Sequence, residues 1–307
     1  MKIVFMGTPQ AAVPSLQRLI DAGHEIAAVY CQPDRPSGRG NKITFSPVKQ
    51  LALEGGLNVL QPEKVRTEEA YTTFAGHGAD VAVVIAYGRI LPERFLTAFR
   101  HGAVNVHFSL LPKYRGAAPV NWAIVNREKT TGVTTMKMDV GLDTGPILLQ
   151  SETEIGERET SPELTARLAV MGADLLSETL AKIRDLEAVE QEDSGSSLAP
   201  ILKREDGLID WRLSAADIEA RIRGFQPFPS AYATYRGERL TLWSAHSDES
   251  GGEPGTVIEA AKDSLKIACG ENTAIRIEEL QPAGKRIMGV RDYLNGVHIE
   301  VGERFGD

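Results

Sequence analysis

Asn105 and His107 stand two residues apart in the stretch 103–118, AVNVHFSLLPKYRGAA. The apolar Ala103, Val104 and Val106 around them predict a short buried strand. Strand side chains alternate between faces, so the amide and the imidazole project from the same one. An amide donates a hydrogen bond, and an imidazole exchanges a proton near neutral pH. A loop punctuated by proline and glycine, residues 109–116, follows at once. In parallel α/β sheets such strand ends line a ligand crevice, although a satisfied structural Asn and His would look the same in sequence. A carboxylate comes from a second loop, DVGLDTGP, residues 139–146. Asp139 suits a turn cap. Asp143 sits between Leu142 and a tight Thr-Gly-Pro turn, and a carboxylate near His107 favours the imidazolium.

These residues need a scaffold, and the first two thirds of the chain describe one. Strands are expected at 2–6, 25–30, 57–60, 80–87, 103–107 and 133–138. Helices are expected after Gly7-Thr8-Pro9, after Ser46-Pro47, from Thr67 to about Gly76, and around 120–126. DVAVVIAY, residues 80–87, is apolar after Asp80, the pattern of a central strand buried on both faces. Alternating strands and helices predict an α/β fold with a Rossmann-like, mostly parallel sheet. The turn after the first strand reads GTPQAA, with one glycine. It lacks the GxGxxG fingerprint of dinucleotide enzymes, so an NAD role is not expected.

The chain has 307 residues, enough for one large domain or two ordinary ones. Its two cysteines, Cys31 and Cys269, lie far apart without metal-ligand spacing, and no HExxH motif is present. They read as free thiols in a reducing, cytoplasmic setting, with no metal site. The opening MKIVFMGTP reads as a strand rather than a signal peptide, and no apolar run approaches membrane-span length. The formal net charge of −8 excludes indiscriminate nucleic-acid binding but leaves room for a local basic patch.

Two further loops carry chemistry. The segment between Cys31 and Ser46 is long for such a domain and sets Arg35, Arg39 and Lys42 among Pro, Ser and Gly. It is either a solvated loop or an arm that orders on a polyanion. Arg39 is flanked by glycines that permit close approach, and arginine pairs bidentately with phosphate. AYGRILPE, residues 86–93, closes the central strand. Its backbone can face a flat heterocycle beside Ile90 and Leu91, or it can be an ordinary strand-to-helix turn.

Beyond Ser161-Pro162-Glu163 an apolar stripe from Leu164 to Ile183 predicts a long core-facing helix. The polar run from Glu187 to Ser197 predicts a linker. LAPILKREDGLIDW and a short helix precede closely spaced short strands, expected to form a small β-barrel. We therefore expect a catalytic domain over 1–188, a linker over 189–204 and a barrel domain over 205–307. From Glu205 onward acidic residues outnumber basic ones, so any nucleic-acid face must be segregated. Arg221, Arg223, Lys285, Arg286 and Arg291 are candidates for it.

NVHFSLLPKYRGAAP together with GLDTGPIL resembles the folate-dependent formyltransferase superfamily. FMGTPQ, QPDRPSGRG, SPVK and KREDGLIDW, in the same order and spacing, narrow the resemblance to the branch that formylates initiator methionyl-tRNA, end to end. The resemblance implies a formyltransferase fold followed by an oligonucleotide-binding-like (OB-like) barrel. It implies 10-formyltetrahydrofolate as formyl donor, the α-amine of methionine on initiator tRNA as acceptor, and a cytoplasmic monomer. Asn105, His107 and Asp143 fall on the family's catalytic trio. Ser109, Leu110, Leu111 and Pro112 match its tetrahydrofolate loop. Tyr87, Gly88, Arg89, Ile90 and Leu91 match the segment lining the pterin pocket. Arg39 falls where the family's tRNA-sensing loop has a key arginine; beside it, Lys42 of the same arm and Lys203 are read as tRNA contacts from their charge, with solvated surface positions as the alternative. Two departures stand out: the arm reads GRGNKIT where many relatives have consecutive lysines, and the overall balance is acidic. An oxyanion forms when the amine adds to the formyl carbon, so Asn105 and protonated His107 are expected to donate to it. Asp143 is expected to orient His107 and relay the proton. The same trio would serve an amino-sugar or ribonucleotide formyltransferase, or a hydrolase releasing formate; a non-catalytic RNA-binding protein would not need it. The GRG loop and the KREDGLIDW-plus-barrel tail favour tRNA.

Overall fold

The computed structural model describes residues 1–37 and 42–306, with only the backbone given at 36–37 and 42–43. Its described residues divide into two compact units. One comprises Met1–Gly116, Thr130–Glu154 and Thr165–Leu198; the other comprises Ala117–Lys129, Ile155–Leu164 and Ala199–Asp307.

The first unit is built on a seven-stranded sheet. Its strands in chain order are β1 (Lys2–Gly7), β2 (Glu25–Tyr30), β3 (Val59–Leu60), β4 (Val81–Ile85), β5 (Ala103–His107), β6 (Thr130–Lys137) and β7 (Ile147–Glu154). In space they run β7-β6-β5-β4-β1-β2-β3. The pairs from β3 to β5 are parallel, whereas β6 is antiparallel to β5 and β7 to β6. All five residues of β4 are buried, as an unbroken apolar run in a central strand requires. Each such Val or Ile contributes roughly 1.5–3 kcal/mol through burial.

The strand β7 was not expected from the sequence. Its exposed positions are polar and its burial alternates, as on an edge strand with one wet face. Gln150-Ser151-Glu152-Thr153-Glu154 therefore reads locally as a loop. Pairing with β6 is what makes it a strand.

Helix starts follow the local chemistry. Ser46 and Thr67 cap the helices Pro47–Glu54 and Glu68–Gly76 by accepting from Lys49 N and Ala70 N. The long helix Ser161–Lys182 packs at Gly172 against β5: a Cβ there would stand 2.8 Å from Val106 Cγ1. This contact uses the Val106 face of β5 and leaves the opposite face, with Asn105 and His107, to the site.

In the second unit, the strands Tyr232–Tyr235, Glu238–Asp248, Val257–Ala261, Ser264–Ala268, Ala274–Pro282 and Met288–Gly289 form one six-stranded antiparallel sheet. The sheet curls into a half-barrel around Leu240, Leu242, Ile267, Ile275 and Ile277. Trp211 meets Phe305 edge-on at 6.0 Å, and Phe305 stacks on Tyr235 at 4.6 Å. The helix Ala215–Gly224 starts at Ser214, whose hydroxyl accepts from Asp217 N. Asn121 Nδ2 donates to Gly224 O at 2.7 Å. No helix among the described residues is long and apolar enough to cross a membrane.

Candidate active site

The register of β5 places Asn105 opposite Val84 on one side and Met136 on the other. Its Nδ2 donates to the Val84 carbonyl at 2.9 Å. One amide hydrogen is thereby used and one is left over. Among the described residues, no donor meets the buried Asn105 Oδ1. A buried acceptor is ordinarily satisfied by protein, water or ligand.

His107 is 7% exposed, and its Nε2 lies 2.9 Å from the Tyr114 carbonyl. A carbonyl only accepts, so Nε2 carries a hydrogen and Nδ1 is the nitrogen that gains or loses a proton. Nδ1 faces Asp143 Oδ2 at 3.7 Å, an ion-pair separation beyond hydrogen-bond reach. Asp143 Oδ2 also accepts from the Gly116 amide at 2.8 Å. The loop around Asp143 is tied down on its other carboxylate: Asp139 Oδ1 accepts from Gly141 N and Thr144 Oγ1 at 3.0 and 2.9 Å. Asp139 is thus the turn cap and Asp143 the free-standing carboxylate, as their neighbours in sequence suggest.

Three non-glycine residues around this group occupy the left-handed region: Ala86 at φ 46°, Tyr114 at 62° and Asp143 at 53°. Such conformations cost on the order of 1–3 kcal/mol each and persist where surrounding bonds over-determine them. Tyr114 lends the carbonyl that fixes His107, so strain and positioning coincide there.

The loop after β5 is held by Thr134. Its hydroxyl donates to Ser109 O at 2.7 Å and accepts from Leu111 N at 3.1 Å. Gln150 Nε2 donates to Leu111 O at 2.9 Å. Ser109 is fully buried, and its own hydroxyl donates to Lys113 O at 2.7 Å. Leu111 is buried, while Leu110 and Pro112 are half-buried. Of the four residues expected to meet folate, Ser109 braces the loop through its hydroxyl and Leu111 through its backbone.

Exposed and buried residues alternate along the segment 86–91. Ala86 and Gly88 are exposed and Ile90 is 74% exposed. Gly88, at φ 81°, makes the turn that any side chain would strain. Leu91 is buried in the core. Arg89 is committed to the protein: Nε donates to Gln32 Oε1 at 3.0 Å and Nη1 to the Glu63 carbonyl. The Tyr87 ring is buried in the core with Tyr30, Phe74 and Leu91. Its hydroxyl has no partner among the described residues, and burial pushes its pKa up to about 12. Tyr87 therefore serves the segment through its carbonyl, which accepts from Gln32 Nε2 at 2.9 Å. Tyr87→Phe is expected to leave folate KM unchanged and to keep or raise stability, since removing an unpaired buried hydroxyl loses no hydrogen bond. A raised folate KM alongside an unchanged melting temperature would place the hydroxyl on the ligand instead.

Arg39 lies outside the described residues, as does the side chain of Lys42. The stem of their loop is firmly built. Lys49 Nζ pairs with Asp34 and donates to Gln61 Oε1 at 2.7 Å, and it lies 4.0 Å from the Phe45 ring centroid. Burial would raise the Asp34 pKa, but the bonds from Lys49 and Gln61 hold it below the usual carboxylate value. Lys203 is exposed at the head of a 3-10 turn, with its backbone N–H on Asp206 Oδ2 at 2.7 Å. Among the barrel candidates, Lys285, Arg286 and Arg291 are exposed. Arg223 is turned inward and donates to Glu159 O at 2.8 Å. Both cysteines are free and buried; burial pushes the Cys31 thiol up to about 11 and Cys269 up to about 12. No group of three His, Cys, Asp or Glu among the described residues is arranged to hold a metal ion.

Sequence reasoning missed the Tyr114 carbonyl, the Gly116 amide and the Thr134 hydroxyl. The first two are backbone groups and carry no residue-type signal. Thr134 had one faint signal, a hydroxyl inside an otherwise buried strand.

With this geometry in place, comparison with known proteins is informative. Residues 1–180 match the Formyl transferase family and residues 201–298 match the Formyl transferase C-terminal domain. A methionyl-tRNA formyltransferase from Alkaliphilus oremlandii is 48% identical, with all of both chains covered. One from Caldanaerobacter subterraneus is 50% identical over 98% of this chain and 99% of its own. The chain belongs to the methionyl-tRNA formyltransferase family. Solved structures agree on the fold. A sugar 3N-formyl transferase, crystallised with dTDP and 5-N-formyl-THF, superposes with a TM-score of 0.67 at 20% identity, covering 93% of this chain and 99% of that one. HypX from Aquifex aeolicus, in complex with tetrahydrofolic acid, superposes at 0.66 and 16% identity, over 99% of this chain and 48% of its own. The half-barrel thus accompanies the α/β unit in this family, as the short strands after Glu205 led us to expect.

Proposed function

We infer that the protein transfers the formyl group of 10-formyltetrahydrofolate to the α-amine of methionyl initiator tRNA. The observation that carries this reading is end-to-end identity near one half to methionyl-tRNA formyltransferases. The Asn105, His107 and Asp143 group of the first unit supports it chemically. The bound folate supplies a formyl group on a nitrogen that can leave. Residues 87–91 and 109–112 are the segments we assign to hold it. The unpartnered Asn105 Oδ1 fits a ligand that brings an N–H, such as the acceptor amine.

In the proposed chemistry the remaining Nδ2 hydrogen of Asn105 and a proton on His107 Nδ1 meet the negative charge that develops on the formyl oxygen. Asp143, held by the Gly116 amide, sustains the charge on His107 and relays the proton that the amine gives up to the folate nitrogen as its bond to the formyl carbon breaks. Val84 O fixes the direction of the Asn105 amide, and Tyr114 O fixes that of the imidazole, so neither has to reorganise during the reaction. We assign Arg39, Lys42 and Lys203 to contacts with tRNA phosphates, and we place the enzyme in the cytoplasm as a monomer.

The direct test offers purified protein the formyl donor with methionine-charged initiator and elongator tRNAs, scoring formylmethionine and folate consumption together. Formylation of the initiator alone is expected. Folate consumption without formylmethionine would redirect the search to sugar amines or water. Tight tRNA binding without folate turnover would instead indicate a non-catalytic RNA-binding protein. Arg39→Ala is expected to raise KM for the charged tRNA or lower kcat with it, while folate affinity stays constant. An equal loss of folate binding would remove Arg39 from tRNA recognition.

A further inference from the structure

The run 189–197, expected from its polarity to be a linker, makes three attachments to the loops of the site. Val189 exchanges backbone bonds with Ile147, at 2.7 and 2.8 Å, just beyond the Asp143 loop. Ser197 Oγ accepts from Tyr114 N at 2.9 Å, and its carbonyl accepts from Arg115 N at 2.8 Å. Tyr114 is the residue whose carbonyl fixes His107. Between these anchors Gln191 turns inward, half-buried in an otherwise exposed run from Glu190 to Ser196.

The hydrogen bonds of the Gln191 amide close completely. Nε2 donates to Asp143 O at 2.9 Å and to Gly145 O at 2.7 Å. Oε1 accepts from Arg115 Nε at 3.0 Å. An amide has two N–H donors, and here two carbonyls receive them. Guanidinium only donates and carbonyls only accept, so no other orientation of the amide is satisfied. Arg115 is itself 7% exposed and reaches Asp193 Oδ1 at 3.1 Å, but the Asp193 side chain is 93% exposed. A pair so open to water contributes little, which leaves the bond to Gln191 as the buried work of Arg115. The loop that receives these bonds is tightly set. Asp143 is in the left-handed region, and a Cβ on Gly145 would stand 1.8 Å from Lys137 O.

We propose that Gln191 is a positioning residue for formyl transfer: its two N–H groups hold the backbone of the turn that carries Asp143, and Arg115 holds Gln191. This rests on the reading of Asp143 as the proton-handling carboxylate. Two independent ties then fix that carboxylate, one from Gln191 to its backbone and one from Gly116 N–H to its side chain. Neither Gln191 nor Arg115 touches substrate in this assignment.

The discriminating variant is Gln191→Glu. It keeps the shape and the oxygen facing Arg115, but it replaces the two donors with a carboxylate oxygen facing two carbonyls. It is expected to lower kcat about 10–100-fold, since small misplacement of a reacting group costs that much. KM for folate and the melting temperature should stay at the wild-type values. Hydrogen exchange should quicken over residues 139–146 and stay unchanged in the half-barrel. Gln191→Ala should behave alike, and Glu190→Ala should match wild type. Wild-type kcat and unaltered loop exchange in Gln191→Glu would overturn the proposal. So would a kcat loss that follows global destabilisation, with exchange faster everywhere. If wild-type protein formylates no acceptor, the functional reading fails, but the exchange measurement still decides whether Gln191 holds the loop.

Discussion

Asn105→Ala is expected to lower kcat by about 10²–10³-fold, the usual consequence of losing one donor to a developing oxyanion. The side chain stands between two strands whose register is set by their own backbone ladders, so the sheet does not depend on it. Truncation leaves the Val84 carbonyl without its side-chain donor, which costs roughly 1–3 kcal/mol of stability if the group stays buried. That is tolerable for a core with β4 wholly buried. Asn105→Asp is the sharper companion. It has the same shape, replaces the donors with acceptors and sets a carboxylate against Val84 O, so it should lose at least as much rate. The measurement is single-turnover formyl transfer, with circular dichroism as the fold check. An unchanged chemical step in Asn105→Ala would remove the residue from the site. Loss of the native spectrum would support the plainer reading, a structural asparagine.

Asp143→Asn should reduce the chemical step by about 10²–10⁴-fold, the range typical of general acid–base groups. The substitution separates charge from shape. The Asn oxygen still accepts from Gly116 N–H, and the backbone bonds from Gln191 are untouched. The loop therefore keeps its place and its left-handed turn, which asparagine tolerates as well as aspartate does. What disappears is the negative charge 3.7 Å from His107 Nδ1 and with it the proton acceptor. The check is the single-turnover rate beside hydrogen exchange over 139–146. Wild-type rate with unchanged exchange would mean that Asp143 serves only as a turn residue. Slow rate with unchanged exchange is the result expected of a proton-handling carboxylate.

These expectations rest on different kinds of information. The strand that carries Asn105 and His107 was legible because alternation is a local property of extended backbone: the residues on either side suffice to put both on one face. The central strand was legible for a similar reason, since five consecutive buried positions demand an apolar run. The edge strand β7 was not, because a strand wet on one face and rich in Ser, Thr and Glu has the composition of a loop. Tyr87 belongs to the segment matched to the pterin pocket, and its ring lies in the core. Sequence marks the segment, but the turn through Ala86 and Gly88 decides which way each side chain leaves it. The run 189–197 looked like a tether because the five successive polar residues Glu190 to Ser194, followed by Gly-Ser-Ser, carry no burial signal. One of them, Gln191, is spoken for by two carbonyls and a guanidinium from distant parts of the chain.

By itself the sequence determined the inventory of the site and its local stereochemistry: an amide and an imidazole on one strand face, a carboxylate in a glycine-rich turn, and an α/β unit followed by short strands. Residue type and near-neighbour spacing carry those facts. Only the tertiary structure decided that Nδ1 rather than Nε2 of His107 faces Asp143, because the Tyr114 carbonyl reaches Nε2 from a turn in the left-handed region. It alone brought Asp143 to that nitrogen and placed Gln191 behind Asp143. Those placements follow from the antiparallel register of β5 with β6 and β6 with β7. The register of such pairing between separate segments leaves no trace in the spacing of residues within each.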